Sequence, residues 1–147
     1  MQKFTGRIGI LLASFVAFLA GLAAPADCQD STLMVAVQEA QEAWLRHDVR
    51  ALVAASDTVR LHIPELPPSA SLRPGQASRL LDRYLSETEE VSFELLNVRD
   101  LSEDHAYAEV ERVFVIRGTV EEREETVFLG FRRINGTWSL REVRVTP

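Results

Sequence analysis

Hydrophobic residues recur at helical spacing in two long segments of the chain. Cap-type residues at positions 30–32 precede the first segment, which is predicted to be an amphipathic helix ending near His47. Its hydrophobic stripe consists of Leu33, Val37, Ala40 and Trp44. A short second helix is predicted over residues 49–55. The third helix begins at Pro74, which suits a first turn, and is predicted to end in the acidic run at residues 87–90.

The rest of the chain has patterns typical of β-strands. Residues 58–63 alternate between hydrophobic and polar side chains, and prolines end this strand. Four alternating segments follow residue 90, and the first of them places Val91 and Phe93 on one face. Asn135-Gly136 is a two-residue hairpin turn before the last strand. The order helix, helix, strand, helix and four strands predicts an α+β domain with helices packed on a curved antiparallel sheet.

Residues 1–26 have the features of a signal peptide. Lys3 and Arg7 precede an uncharged apolar run over residues 8–24, which is short for a helix that crosses a membrane. Ala24-Pro25-Ala26 fits a cleavage site that would leave residues 27–147 as one exported domain, periplasmic or extracellular, with no transmembrane span. The alternative is an uncleaved anchor that tethers the domain to a membrane.

The charge of the domain disfavours nucleic acid as a partner. Removal of Lys3 and Arg7 with the leader leaves 14 of the 16 basic residues against 22 acidic ones, so the formal net charge moves from −6 to −8. An acidic surface repels phosphate backbones. Cys28 is the only cysteine, so an internal disulfide cannot form.

Three segments carry a resemblance to a known superfamily: residues 43–52 at the exit of the first helix, Leu61-His62-Ile63-Pro64, and residues 134–140 around the closing hairpin. They resemble the cone-shaped nuclear transport factor two-like superfamily, with its cystatin-like fold, which includes ketosteroid isomerases and polyketide cyclases. The second half also resembles a family of small exported bacterial proteins without an assigned function.

This resemblance implies a conical pocket between a curved sheet and the helices, used in different members for catalysis, ligand binding or protein association. The fold alone does not choose among these roles. The resemblance also implies that a homodimer could form through the outer sheet face, where Val113 and Val115 leave room for a second copy.

Arg112 interrupts a hydrophobic strand face and is the most unusual residue of the sequence. That face consists of Ala106, Ala108, Val110, Phe114 and Ile116. A buried guanidinium needs a carboxylate or a bound anion, because an unpaired buried charge is very costly. By alternation Glu142 shares a face with Trp138 and Leu140, and it is therefore the predicted partner of Arg112. Three roles of Arg112 remain open. It could bind the carboxylate of a ligand, it could form a purely structural ion pair, or its guanidinium could reach solvent while the rest of the side chain packs in the core.

The sequence therefore offers a candidate ligand site formed by Arg112, Glu142, Tyr84 and Trp138, but no assignable catalytic residue. The histidines lack metal-ligand spacing, no cofactor motif is present, and residues 121–125 are predicted to form a solvated hairpin tip.

Two function classes remain. One is a non-catalytic module for a small hydrophobic or acidic ligand, or for protein association, and the other is a pocket enzyme of isomerase, cyclase or hydratase type. A carboxylate with a raised pKa deep in the cone would favour the enzyme. An interior packed shut by aromatic residues, namely Trp44, Phe93, Phe114 and Trp138, would favour the module.

Overall fold

A computed structural model describes residues 30–64 and 66–147 of the chain. The predicted signal peptide and Cys28 lie outside the described residues. The described part contains three helices and five strands. In chain order these are α1 (Ser31–Leu45), α2 (Val49–Val53), β1 (Arg60–His62), α3 (Pro74–Ser86), β2 (Thr88–Ser102), β3 (His105–Ile116), β4 (Glu122–Ile134) and β5 (Thr137–Thr146).

The five strands form one curved sheet in the order β1-β5-β4-β3-β2. Strands β2 to β5 are an antiparallel meander, whereas β1 pairs with β5 in parallel. The prediction of an α+β domain with helices packed on a sheet is confirmed, although β1 makes the sheet mixed rather than wholly antiparallel. The side of the sheet away from the helices, which carries Tyr107, Phe128 and Glu142, is called the outer face.

Helix α1 ends in a hydrogen-bonded turn that reverses the chain toward the sheet. The amide of Asp48 donates to the carbonyl of Ala43, and the amide of His47 donates to that of Trp44, both at 2.8 Å. In this Schellman motif the residue that follows the helix C-cap adopts the left-handed conformation, and it is therefore usually glycine. Here it is His47, with a φ of 54°. The strained turn brings its imidazole to 3.3 Å from the carboxylate of Glu90.

The start of β2 is irregular, and this changes which side chains face the core. Thr88 already belongs to the strand, so the acidic run after Ser86 is not the end of α3 as predicted. A register shift between Glu90 and Ser92 leaves Val91 as the extra residue of a bulge. Val91 is therefore exposed while Glu90 is directed inward, and the prediction that Val91 and Phe93 share a face is wrong.

A second bulge lies in β5. Gly130 pairs with Glu142 while the next residue of β4 pairs with Leu140, so Arg141 is the extra residue. Alternation is reversed beyond it, with Val143 buried and Glu142 on the outer face. A Cβ atom on Gly130 would lie 3.1 Å from the Cβ of Glu142, which is closer than ordinary side-chain contact. The bulge and the glycine therefore occur together.

Asp30 anchors the start of α1 to the hairpin formed by β4 and β5. One carboxylate oxygen accepts hydrogen bonds from the amide and hydroxyl of Thr32, at 2.9 and 2.6 Å. The other accepts from the indole of Trp138 and the guanidinium of Arg133, both at 3.1 Å. These bonds, first of all that from the Thr32 hydroxyl, lower the pKa of Asp30 from 3.8 to about 2.

Replacement of Asp30 separates its role as a helix cap from its role as an anion. Because its pKa is lower in the folded state, its stabilising contribution is complete above pH 3.8 and is lost as the pH falls toward 2. Asp30→Asn keeps a good cap and should flatten this part of the pH profile, whereas Asp30→Ala should also lower stability at pH 7. Urea unfolding from pH 7 to pH 2 measures both effects. An Asn variant with the wild-type profile would show that the carboxylate charge does not contribute.

Candidate functional site

Arg112 lies at the centre of the packed interior between the sheet and the helices. Its side chain is completely buried, which confirms the prediction that this strand face directs a cation inward. Across the sheet it is paired with Glu125 on β4 and with Phe93 on β2. The Arg112 cluster consists of Arg112, Tyr84, Thr88, Glu90 and Glu125.

All five N–H groups of the Arg112 guanidinium have an acceptor within the cluster. Nε donates to Oε2 of Glu90 at 2.9 Å, and Nη2 donates to Oε1 of Glu90 at 2.6 Å and to the hydroxyl of Thr88 at 2.8 Å. Nη1 donates to the hydroxyl of Tyr84 at 2.8 Å and to Oε2 of Glu125 at 2.9 Å. A guanidinium has five N–H donors, so none is left for a ligand carboxylate.

Aromatic rings enclose the guanidinium. Its central carbon lies 4.0 Å from the ring centre of Phe114, 5.0 Å from that of Tyr84 and 5.6 Å from that of Trp44. Trp44 is stacked on Phe93, with ring centres 4.8 Å apart and planes 10° apart. Such contacts attract the cation to the faces of the rings and also exclude water.

Glu90 is the most heavily bonded carboxylate of the cluster. Besides Arg112, its Oε2 accepts from the indole of Trp44 at 3.4 Å, and its Oε1 lies 3.3 Å from both the Thr88 hydroxyl and the His47 imidazole. Its side chain is only 3% exposed. Both oxygens of Glu90 are therefore engaged.

The proton positions in the cluster follow from burial and charge. Burial raises the pKa of Tyr84 far above its ordinary value, although Arg112 offsets part of this shift. Its hydroxyl therefore stays protonated and donates to Glu125 at 2.5 Å. Burial by itself would lower the pKa of Arg112, but Glu90, Tyr84 and Glu125 together raise it, so the guanidinium stays charged.

The predicted pair between Arg112 and Glu142 is wrong. The bulge at Arg141 turns Glu142 to the outer face, where its carboxylate pairs with Arg60 at 3.0 Å and with Arg144 at 2.9 Å. Strict alternation predicted the opposite face, and a bulge of one residue reverses every side chain beyond it.

The other predicted site residues separate into two places. Tyr84 joins Arg112 in the cluster, as described above. Trp138 is buried next to Asp30, to which its indole donates, and has no hydrogen bond with the cluster. The structure thus brings together Arg112 and Tyr84, but neither Trp138 nor Glu142.

Glu90 and Glu125 are the carboxylates that sequence reasoning missed. Glu90 was assigned to a helix end and Glu125 to a solvated hairpin tip, although β4 already begins at Glu122. One signal for Glu125 was present in the sequence. The register of β3 and β4 is symmetric about the turn at Gly118 and Thr119, and Gly118 has a φ of 88°. Arg112 lies six residues before Gly118 and Glu125 lies six residues after Thr119, so the two face each other across the strands.

Three of the cavities among residues 30–64 and 66–147 have no contribution from Arg112 to their lining. The described residues contain no group of three or more His, Cys, Asp or Glu side chains placed to hold a metal ion. Within residues 30–64 and 66–147, no helix has the length and apolar character needed to cross a membrane.

Solved structures with the same architecture identify the fold. A ketosteroid isomerase-like protein from Erwinia carotovora atroseptica superposes with a TM-score of 0.66 at 18% identity, covering 79% of this chain and 95% of that one. The chain has the nuclear transport factor two-like fold. This confirms the fold that the sequence motifs indicated.

Two further structures support the same assignment. A nuclear transport factor two-like protein of unknown function from Pseudomonas putida gives a TM-score of 0.63 at 14% identity, covering 79% of this chain and 84% of that one. A DUF4783 family protein from Bacteroides uniformis gives 0.62 at 13% identity, covering 74% and 93%. No protein-family model and no curated protein matches the sequence. At these identities the likeness shows the fold alone.

Replacement of Arg112 by Met should be strongly destabilising. It leaves Glu90 and Glu125 buried without their cation, and breaking a buried pair in this way costs about 3–5 kcal/mol. Adding Glu90→Gln and Glu125→Gln should recover part of this loss, because the uncompensated charges disappear. Urea unfolding measures the free energy of each variant.

The matched control is Arg117→Met, just after the same strand, where the side chain is 60% exposed. It should change the free energy of unfolding by no more than about 0.5 kcal/mol. An Arg112→Met variant as stable as this control would contradict a structural role for the cluster.

Proposed function

We propose that residues 27–147 form an exported, non-catalytic binding module that recognises its ligand or partner through the outside of the cone. The observation that carries this proposal is that the interior around Arg112 is filled. All five donors of Arg112 are used within the cluster, and Trp44, Phe93 and Phe114 fill the space around it.

The same geometry argues against acid–base catalysis inside the cone. A carboxylate acts as a general base only if it can reach a proton of the substrate. Both oxygens of Glu90 are bound, and Glu125 accepts hydrogen bonds from Arg112 and Tyr84 through Oε2. A substrate would have to displace these bonds before Glu90 could act, and Oε2 of Glu125 is held in the same way.

An isomerase-type pocket enzyme is the second candidate. It is favoured by the likeness to the ketosteroid isomerase-like protein, whose name suggests that chemistry for the shared fold. In this chain it would require the Arg112 cluster to open around a substrate, which is why we rank it second.

A titration with a Δ5-3-ketosteroid separates the two candidates. The chain has two tryptophans, and only Trp44 lies beside the Arg112 cluster. If the interior stays closed, the indole N–H resonance of Trp44 should not move and the conjugated ketone should not form above the rate in buffer. Turnover that is abolished by Glu90→Gln, but kept by the exposed control Glu94→Gln on the same strand, would establish the enzyme instead.

Export is supported by the signal-peptide features of residues 1–26, namely two basic residues, an uncharged apolar run and a site of small residues. Asp30 is fixed to Trp138 and Arg133, and α1 starts directly after it, four residues beyond the predicted cleavage point after Ala26. The described helices, the sheet and the Arg112 cluster are all formed by residues beyond this point.

Intact-mass measurement tests export and cleavage together. The full chain produced in a bacterium that exports proteins should yield a soluble periplasmic or extracellular product that begins at Asp27. Ala26→Arg should block this cleavage, because the site requires a small residue, whereas Cys28→Ser should leave the product unchanged apart from the substituted atom. Full-length protein retained in membranes would show that the leader is an anchor.

A second copy of the chain is one partner that the outside of the cone could accommodate. Val113 and Val115 are half-buried and lie on the outer face, on either side of the position in β3 that carries Phe114 inward. A homodimer through the part of this face around Val113 and Val115 is included in the proposal.

A further inference from the structure

A groove of about 640 Å³ crosses the outer face of the sheet, on the opposite side from Arg112. Its central row follows the strand register, with Arg60 on β1 beside Glu142 on β5, then Gly130 on β4 and Tyr107 on β3. Gly130 has no side chain and forms the floor. The groove therefore exists where the bulge of β5 and the glycine of β4 meet.

One wall of the groove is aromatic. Tyr107 and Phe128 are half-buried and meet edge to face, with ring centres 6.2 Å apart and planes at 62°. Tyr107 stands directly opposite Gly130 in the register, and Phe128 precedes Gly130 on the same face. A flat or apolar group could lie over the glycine against this wall, because aromatic contacts of this kind need only an accessible ring surface.

The rest of the lining is strongly cationic, which is unusual in a chain of net charge −6. Four arginines line the groove: Arg60, Arg132, Arg141 and Arg144. The one acidic side chain among the lining residues is Glu142, which already bridges Arg60 and Arg144.

Arg132 and Arg141 are the arginines whose charge is least compensated. Arg141 contacts Asp57 at 3.5 Å, but the Asp57 side chain is 80% exposed, so solvent screens this pair. No ion pair involves Arg132 among the described residues. Guanidinium groups recognise carboxylates through paired hydrogen bonds. The Arg141 side chain is half-buried in the groove, whereas Arg132 is exposed.

We propose that this groove binds an organic carboxylate attached to a flat ring or a short apolar chain. The carboxylate contacts Arg132 and Arg141, and the apolar part lies over Gly130 against Tyr107 and Phe128. The inference rests on the proposed function in one respect: the domain binds its ligand without converting it. The proposal also gives an acidic ligand a binding site in the groove, because every donor of Arg112 is already used within the Arg112 cluster.

Benzoate is the probe, with benzamide as its neutral counterpart and inorganic phosphate as an anion without a ring. Two-dimensional NMR of residues 27–147 should show amide shifts at Tyr107, Phe128 and Gly130 with benzoate. Benzamide should bind at least tenfold more weakly, because it lacks the charge that the arginines recognise. Phosphate should also bind at least tenfold more weakly, because it lacks the ring.

The double variant Arg132→Gln with Arg141→Gln should raise the benzoate Kd at least tenfold. The matched control, Arg79→Gln with Arg117→Gln, removes the same charge from exposed positions on α3 and after β3, and should change the Kd less than twofold. This comparison separates a built site from the general attraction of an anion to arginine.

Several outcomes would overturn the inference, and they bear differently on the proposed function. Absence of benzoate binding, equal binding of phosphate, or equal losses in both double variants removes the groove site but leaves the non-catalytic module standing. A second result has the same consequence. If the Tyr107 and Phe128 amide signals shift with protein concentration in the absence of ligand, and the protein has the mass of a dimer, then the groove is an interface between copies. Benzoate binding that survives the groove variant and moves the Trp44 indole resonance places the ligand inside the cone, and then both proposals fail.

Discussion

The fold is organised around a charge that has no access to water. The Arg112 side chain is completely buried, and the desolvation of a guanidinium is tolerable only when its donors are met with good geometry. The acceptors come from the end of α3, from the first residues of β2 and from β4, through Tyr84, Thr88, Glu90 and Glu125. One side chain thereby joins a helix to three neighbouring strands, and any slip of register would leave at least one buried carboxylate without its cation.

This arrangement also decides what the interior of the cone is free to do. In a fold that can enclose a ligand, the part of the interior around Arg112 is occupied by ion pairs and by the aromatic rings that surround the guanidinium. The carboxylates that could have acted as bases hold a structural arginine instead. The groove that we propose as the ligand site lies on the other side of the sheet, where arginines and two aromatic rings surround a glycine floor.

Two bulges decide the character of the two faces. At Val91 the extra residue moves a hydrophobic side chain to solvent and turns Glu90 inward, which supplies the main partner of Arg112. At Arg141 the extra residue turns Glu142 outward and places an additional arginine on the groove. Each bulge exchanges a charge between core and surface without changing the strand order, because a shift of one residue inverts the alternation.

The sequence by itself determined the element order, the helix caps, the α+β class and the inward direction of Arg112. These depend on local propensity and on periodicity, which are readable from neighbouring residues. Only the tertiary structure decided that β1 joins the sheet in parallel beside β5, that Glu90 and Glu125 rather than Glu142 pair with Arg112, and that the cationic groove exists. Bulges and long-range pairing do not follow from periodicity, since they are settled by how distant strands satisfy one another's hydrogen bonds and charges. Arg112 shows both sides of this division: its burial could be predicted from its strand, but its partners depended on the register of two other strands.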